Sequence, residues 1–163
     1  MNSALSKHSD QFRLAVLAAL ALSLGTLVYV LDRPPSSVYF LPRAWSGYTG
    51  VHHFGSLGGQ LPDFAHTFAF SLLTAAVLGA RERLAAICIF WAVLDSLFKL
   101  AEHPGISPHV VNAVPRWFEH VPVLENTRSY FLHGTFDPLD LIAIALGSAL
   151  AFLTARFVLK REN

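Results

Sequence analysis

Residues 139–159 read LDLIAIALGSALAFLTARFVL, with one carboxylate at the start, Asp140, and one cation near the end, Arg156. A helix that crosses the hydrocarbon of a bilayer needs about 20 mostly apolar residues. Backbone polar groups in lipid have to be satisfied within the segment, so this stretch predicts a transmembrane helix. Three more runs qualify on either side of it: Phe12–Leu31, Phe64–Ala80 and Leu84–Leu100, the last interrupted by Asp95 and Lys99. None shows the alternation of a barrel strand. The expected fold is all-α: a polytopic membrane protein with four transmembrane helices and two long outer loops carrying interfacial segments. Residues 1–163 are expected to form a single four-helix transmembrane domain.

Composition agrees. Hydrophobic residues make up 53% of the 163 positions and charged residues only 14%, against about 25% charged in a soluble domain. This argues against a disordered chain and against a soluble enzyme. A net charge of +1 gives no global field for nucleic acid. All nine prolines fall outside the four runs. Pro62 and Pro138 stand just before spans two and four, where a missing N–H costs nothing. Cys88 sits in an apolar run and reads as a small core hydrophobe. The first span is longer than a signal core, and Leu31-Asp32-Arg33-Pro34 offers no small-residue cleavage site, so it is expected to remain as an anchor.

Cations near the span ends set the expected orientation. Lys7, Arg13, Arg81, Arg83, Arg156, Lys160 and Arg161 share one side with Asp10, Glu82 and Glu162. Arg33, Arg43, Lys99, Arg116 and Arg128 lie on the other with eight acids. Both termini and the Arg81–Arg83 turn are therefore expected in the cytoplasm. In the outer loops, Trp45, Tyr48, Trp117, Phe118, Tyr130 and Phe131 suggest an interfacial belt. Val110–His120 reads as a short surface helix interrupted by Pro115, and Gly55 and Gly58-Gly59 as turns.

Polar residues of three spans fall at one depth. Asp63 and His66 open span two, Asp137 and Asp140 open span four, and Asp95, Lys99, Glu102 and His103 lie toward the outer end of span three. Charges within spans are costly, so this convergence makes Asp63, His66, Asp95, Lys99, Glu102, Asp137 and Asp140 candidate ligand-binding residues. Asp63, Thr67, Ser71 and Thr74 form a polar stripe along span two. Each residue also has a local reading: Asp137 as an N-cap, Asp140 and Asp63 as first-turn acids favoured by the helix dipole, Asp95 and Lys99 as an i,i+4 ion pair, and His66 as a hydrogen-bond partner to a neighbouring helix. Ala143, Gly147 and Ala151 make a small-residue packing face, with Ala21 and Gly25 a similar pair in span one. The loop histidines 52, 53, 109, 120 and 133 show no HxxxH or HExxH spacing. No metal, cofactor or catalytic residue is assigned.

Two of these stretches resemble the VanZ-like family of small bacterial membrane proteins. Asp63-Phe-Ala-His66-Thr-Phe68-Ala-Phe70 is similar to the family's Asp, His-Phe and Phe entry into a helix. The stretch from Gly134 to Gly147 is similar to its glycine, aspartate, asparagine and glycine pattern: Asp140 and Gly147 match, with Ile144 where asparagine is common. In span three, Lys99 and Glu102 stand where the family tends to place Glu and Gln. The resemblance covers about residues 61–154. It implies a four-span domain in the bacterial inner membrane, and the family's namesake is associated with resistance to the glycopeptide teicoplanin.

The leading expectation is a multi-pass inner-membrane protein whose polar outer-leaflet pocket binds a ligand or protein partner, related to the cell envelope. Two helix N-termini point there, but five acids offset them, so a cationic group or a shared proton fits better than a free anion. One alternative is an accessory subunit of a larger membrane complex, with the loops and small-residue faces as subunit contacts. The other is a membrane-embedded enzyme on a lipid or envelope substrate, with Asp63 and His66 as a base and its orienter. With no nucleophile or oxyanion donor identified, the enzyme reading ranks last.

Overall fold

A computed structural model of the chain describes residues 2–38, 42–79, 81–122 and 124–159, and their side chains except those of residues 2–7, 36 and 43. Ala80, Lys160, Arg161 and Glu162, on which one span boundary and part of the charge count fall, lie outside the described residues, as do the side chains of Lys7 and Arg43. Six α-helices and no strand occur among the described residues: α1 (Asn2–Asp32), α2 (Leu61–Leu78), α3 (Leu84–Ala101), α4 (Ser107–Ala113), α5 (Thr127–His133) and α6 (Pro138–Val158). Four of them, α1, α2, α3 and α6, are long and apolar enough to cross a membrane.

Local chemistry sets the boundaries. Helix α1 starts ten residues before the apolar run that predicts it, because extending a formed helix costs little compared with nucleating one. Helix α2 takes Pro62 into its first turn, where proline is tolerated. Its other end is fixed by Gly79 at φ +59°, whose N–H reaches the Ala75 carbonyl, a left-handed cap that suits glycine. The surface helix expected over 110–120 divides in two. Helix α4 ends at Ala113, Val114 is extended, and a 3₁₀ turn spans Arg116–His120. Proline at 115 disfavours the helical conformation at the residue before it.

Helix α2 is the centre of the bundle, packed against α1, α3 and α6, with α6 also against α3. Lipid supplies no hydrophobic drive between helices, so close approach and interhelical hydrogen bonds have to hold them. A Cβ on Gly147 would lie 2.6 Å from the Phe64 carbonyl oxygen, so α6 meets the backbone of α2 there. Ala143 and Ala151 are buried on the same face. Gly25 plays the same part in α1, where an added Cβ would come 3.3 Å from the Ala65 Cβ. The core is rich in small side chains, with Ala18, Ala69, Ala75, Ala151, Ala155 and Cys88 around Leu14 and Leu72. The α2 stripe faces α3: Trp91 Nε1 donates to the Thr74 hydroxyl at 2.9 Å. The Ser148 hydroxyl of α6 donates to the Cys88 carbonyl of α3 at 3.0 Å. Leu20, Phe90, Val93 and Leu146 point outward and are exposed.

The long connections are tied back to the helices. The buried carboxylate of Asp32 ends α1 and accepts the backbone N–H groups of His53 at 2.8 Å and Phe54 at 3.0 Å. In the second connection α4 and α5 pack together: the Ser107 hydroxyl donates to the Phe131 carbonyl, and Arg128 donates to the Val114 carbonyl at 3.1 Å.

Candidate functional site

Helices α2 and α6 begin, and α1 and α3 finish, at the same end of the bundle. Lys99, in the last turn of α3, gathers three carboxylates there. Its ammonium lies 3.4 Å from Asp63 of α2, 3.3 Å from Asp140 of α6 and 3.2 Å from Glu102 just beyond α3. Glu102 and Asp140 are buried, and Lys99 is largely so. A buried charge is tolerated where partners surround it. The cluster therefore joins three long helices at one point.

Asp95 is not the partner of Lys99 that the i,i+4 spacing suggested. Its Oδ2 accepts from the Thr67 hydroxyl and lies 3.2 Å from His66 Nδ1. A carboxylate only accepts, which places the imidazole proton on Nδ1 and leaves Nε2 as acceptor in the neutral ring. The expected pairing of Asp63 with His66 is likewise replaced: Asp63 goes to Lys99, and His66 to Asp95. The reason is geometric. His66 and Asp63 are one turn apart on α2, and each reaches the α3 residue at its own level. His66 is half exposed and leans on Phe70, with ring centroids 4.4 Å apart.

Asp137 is structural. One oxygen accepts from Leu139 N at 2.9 Å as the α6 cap, and the other accepts from the Gln60 side chain at 3.0 Å, strapping the starts of α2 and α6 together. Asp140 is not a plain first-turn acid, since Lys99 holds it. Tyr130 and Phe131, expected in an interfacial belt, also pack at the site, with Tyr130 on the cavity wall. Phe131 is buried and stacked on Phe98 at 6.2 Å, and the Tyr130 hydroxyl lies against Glu102. Burial, and then this contact with the Glu102 carboxylate, push the Tyr130 hydroxyl above its ordinary range. Gly134 makes room for Glu102: a Cβ there would fall 2.7 Å from its side chain. Sequence reading assigned neither Tyr130 nor Gly134 to the site, because their partner is remote in the chain. Trp45 and Trp117 are exposed.

Below the cluster a cavity of about 580 Å³ lies between α1 and α3, floored by α2 and edged by Tyr130. That volume falls within the range of about 300–1,000 Å³ typical of ligand pockets. Its wall changes character in the same direction along each helix. On α1 it runs from Tyr29 and Thr26 to Leu22, on α2 from Asp63 and His66 to Phe70, and on α3 from Lys99 and Asp95 to Trp91. Asp63, His66, Asp95 and Lys99 thus line the cavity. Glu102 and Asp140 sit behind Lys99, and Asp137 lies away from it. Among the described residues no group of His, Cys, Asp and Glu is arranged to hold a metal ion. Compared with protein-family models, curated proteins and solved structures, the chain matches none.

Proposed function

We propose that this chain is a VanZ-like membrane protein that binds a ligand in the groove between α1 and α3, in a role connected with the cell envelope. The observation that carries this reading is the cavity of about 580 Å³ with Asp63, His66, Asp95 and Lys99 on its wall. An Asp or Lys at the centre of a span costs about 2.5–3.5 kcal/mol on insertion scales and less near its ends, so ionisable groups within spans are rare without a role. The Lys99–Asp63 pair also ties α3 to α2, whereas His66 and Asp95 lie on the cavity wall beyond that cluster. We place the groove in the outer leaflet of a bacterial inner membrane, with the termini in the cytoplasm. The cations Arg81 and Arg83 in the α2–α3 turn support that orientation.

The half-exposed His66 oriented by Asp95 favours a second reading, a membrane-embedded enzyme with His66 as general base. Turnover of an envelope lipid that disappears in His66→Ala would establish it. The binding reading is tested by native mass spectrometry of the protein extracted from its membranes in mild detergent. A small adduct of constant mass is expected on the wild-type chain and not on Thr26→Trp, whose indole fills the groove. A bare wild-type chain, or one carrying only another protein subunit, would overturn the reading.

A further inference from the structure

The groove has the dimensions and the polarity gradient of one leaflet. Its wall extends from Tyr29 to Leu22, from Asp63 to Phe70 and from Lys99 to Trp91. Seven or eight residues of helical rise give about 10–12 Å, the larger part of the roughly 15 Å in half of a hydrocarbon core. Polar groups stand at the bundle end on all three helices and apolar ones toward the membrane middle, the order of headgroup and acyl chain in a lipid. The groove is open at its side: His66 is 48% exposed although it sits five residues inside α2. The charge balance selects the headgroup. On the wall two carboxylates, Asp63 and Asp95, stand beside one ammonium and one imidazole, and Glu102 and Asp140 add two more carboxylates behind Lys99. Among the described residues Lys99 is the only Lys or Arg on the cavity wall.

We infer that the ligand is a lipid with a primary ammonium headgroup, admitted sideways from the bilayer between α1 and α3. The inference rests on the ligand-binding reading above. The ammonium donates to the Asp95 and Asp63 carboxylates, which are acceptors only, and the chain lies along Leu22, Phe70 and Trp91. A primary ammonium has N–H donors for these oxygens and a quaternary one has none, so the site separates the two. An anionic headgroup meets the carboxylate excess and is rejected.

Trp91 reports on the groove directly. With the exposed Trp45 and Trp117 replaced by Phe, it is the sole tryptophan. The protein is placed in phosphatidylcholine vesicles containing a small fraction of a brominated-chain lipid, whose headgroup is phosphoethanolamine, phosphocholine or phosphoglycerol. The phosphoethanolamine lipid should quench Trp91 at about a tenth of the mole fraction the other two need, the ratio one charge-assisted hydrogen bond supplies. Asp95→Asn should remove that preference. Equal quenching by all three headgroups would overturn the ammonium assignment while leaving a lipid-accessible groove. Stronger quenching by the phosphoglycerol lipid would overturn it by reversing the sign of the charge selection. No quenching by any lipid would overturn sideways entry, and the adduct measurement then decides separately whether the groove holds a ligand. The headgroup comparison is made with every groove residue intact, so it stands even if Asp95→Asn fails to fold.

Discussion

Lys99 shows how far a single side chain can be placed from spacing alone. The i,i+4 step to Asp95 is a sound local rule, worth about 0.2–0.5 kcal/mol on an exposed helix. It loses here to three carboxylates that local spacing does not relate to Lys99 as a group. Asp63 and Asp140 come from other helices, and Glu102 lies just beyond the end of α3. Asp95 is meanwhile satisfied by Thr67 and His66. Lys99→Met leaves three acids without their cation and should cost about 3–5 kcal/mol, the range for breaking a buried pair from one side. Double-mutant cycles measured by unfolding in detergent separate the partners. Lys99→Met should couple more strongly to Asp140→Asn than to Asp95→Asn. The opposite order would restore the local pair and dissolve the interhelical cluster.

Among the elements, the four long helices were legible because hydropathy over about 20 residues is a strong signal and lipid leaves the backbone few alternatives. The small-residue face of α6 was legible too: Gly147 stands against the Phe64 carbonyl, with Ala143 and Ala151 buried beside it. Gly147→Leu should therefore push α6 off α2 and destabilise the bundle by at least the roughly 1–3 kcal/mol of ordinary overpacking. Ala149→Leu, on the exposed side of α6, should have little effect. Equal thermal stability of the two variants in detergent would contradict this packing. Helix α5 was not legible. Seven residues carry too little periodicity to stand out, and Tyr130 and Phe131 in a loop resemble belt aromatics until Glu102 and Phe98 are seen against them. The candidate site divides in the same way. Its depth and most of its members followed from sequence, while the pairings and the groove required the helices to be assembled.

At the scale of the whole molecule, α2 serves as a floor, α1 and α3 as walls, and the Lys99 cluster with Tyr130 as a polar closure at one end. The cluster fixes the helices at one end, where Asp63 and Lys99 also line the groove, and Asp95 and His66 stand on the groove wall beside it. The outward faces of the helices are apolar, whereas the gap between α1 and α3 adds Asp63, His66, Asp95 and Lys99 at one end to an otherwise largely apolar lining. The most direct test is a high-resolution map of the protein in a lipid nanodisc made from its own membrane lipids. It should show elongated density between α1 and α3, its polar end within hydrogen-bonding distance of Asp63 and Asp95 and its tail against Leu22 and Phe70. Helix α1 closed onto α3 with no density between them would contradict the account.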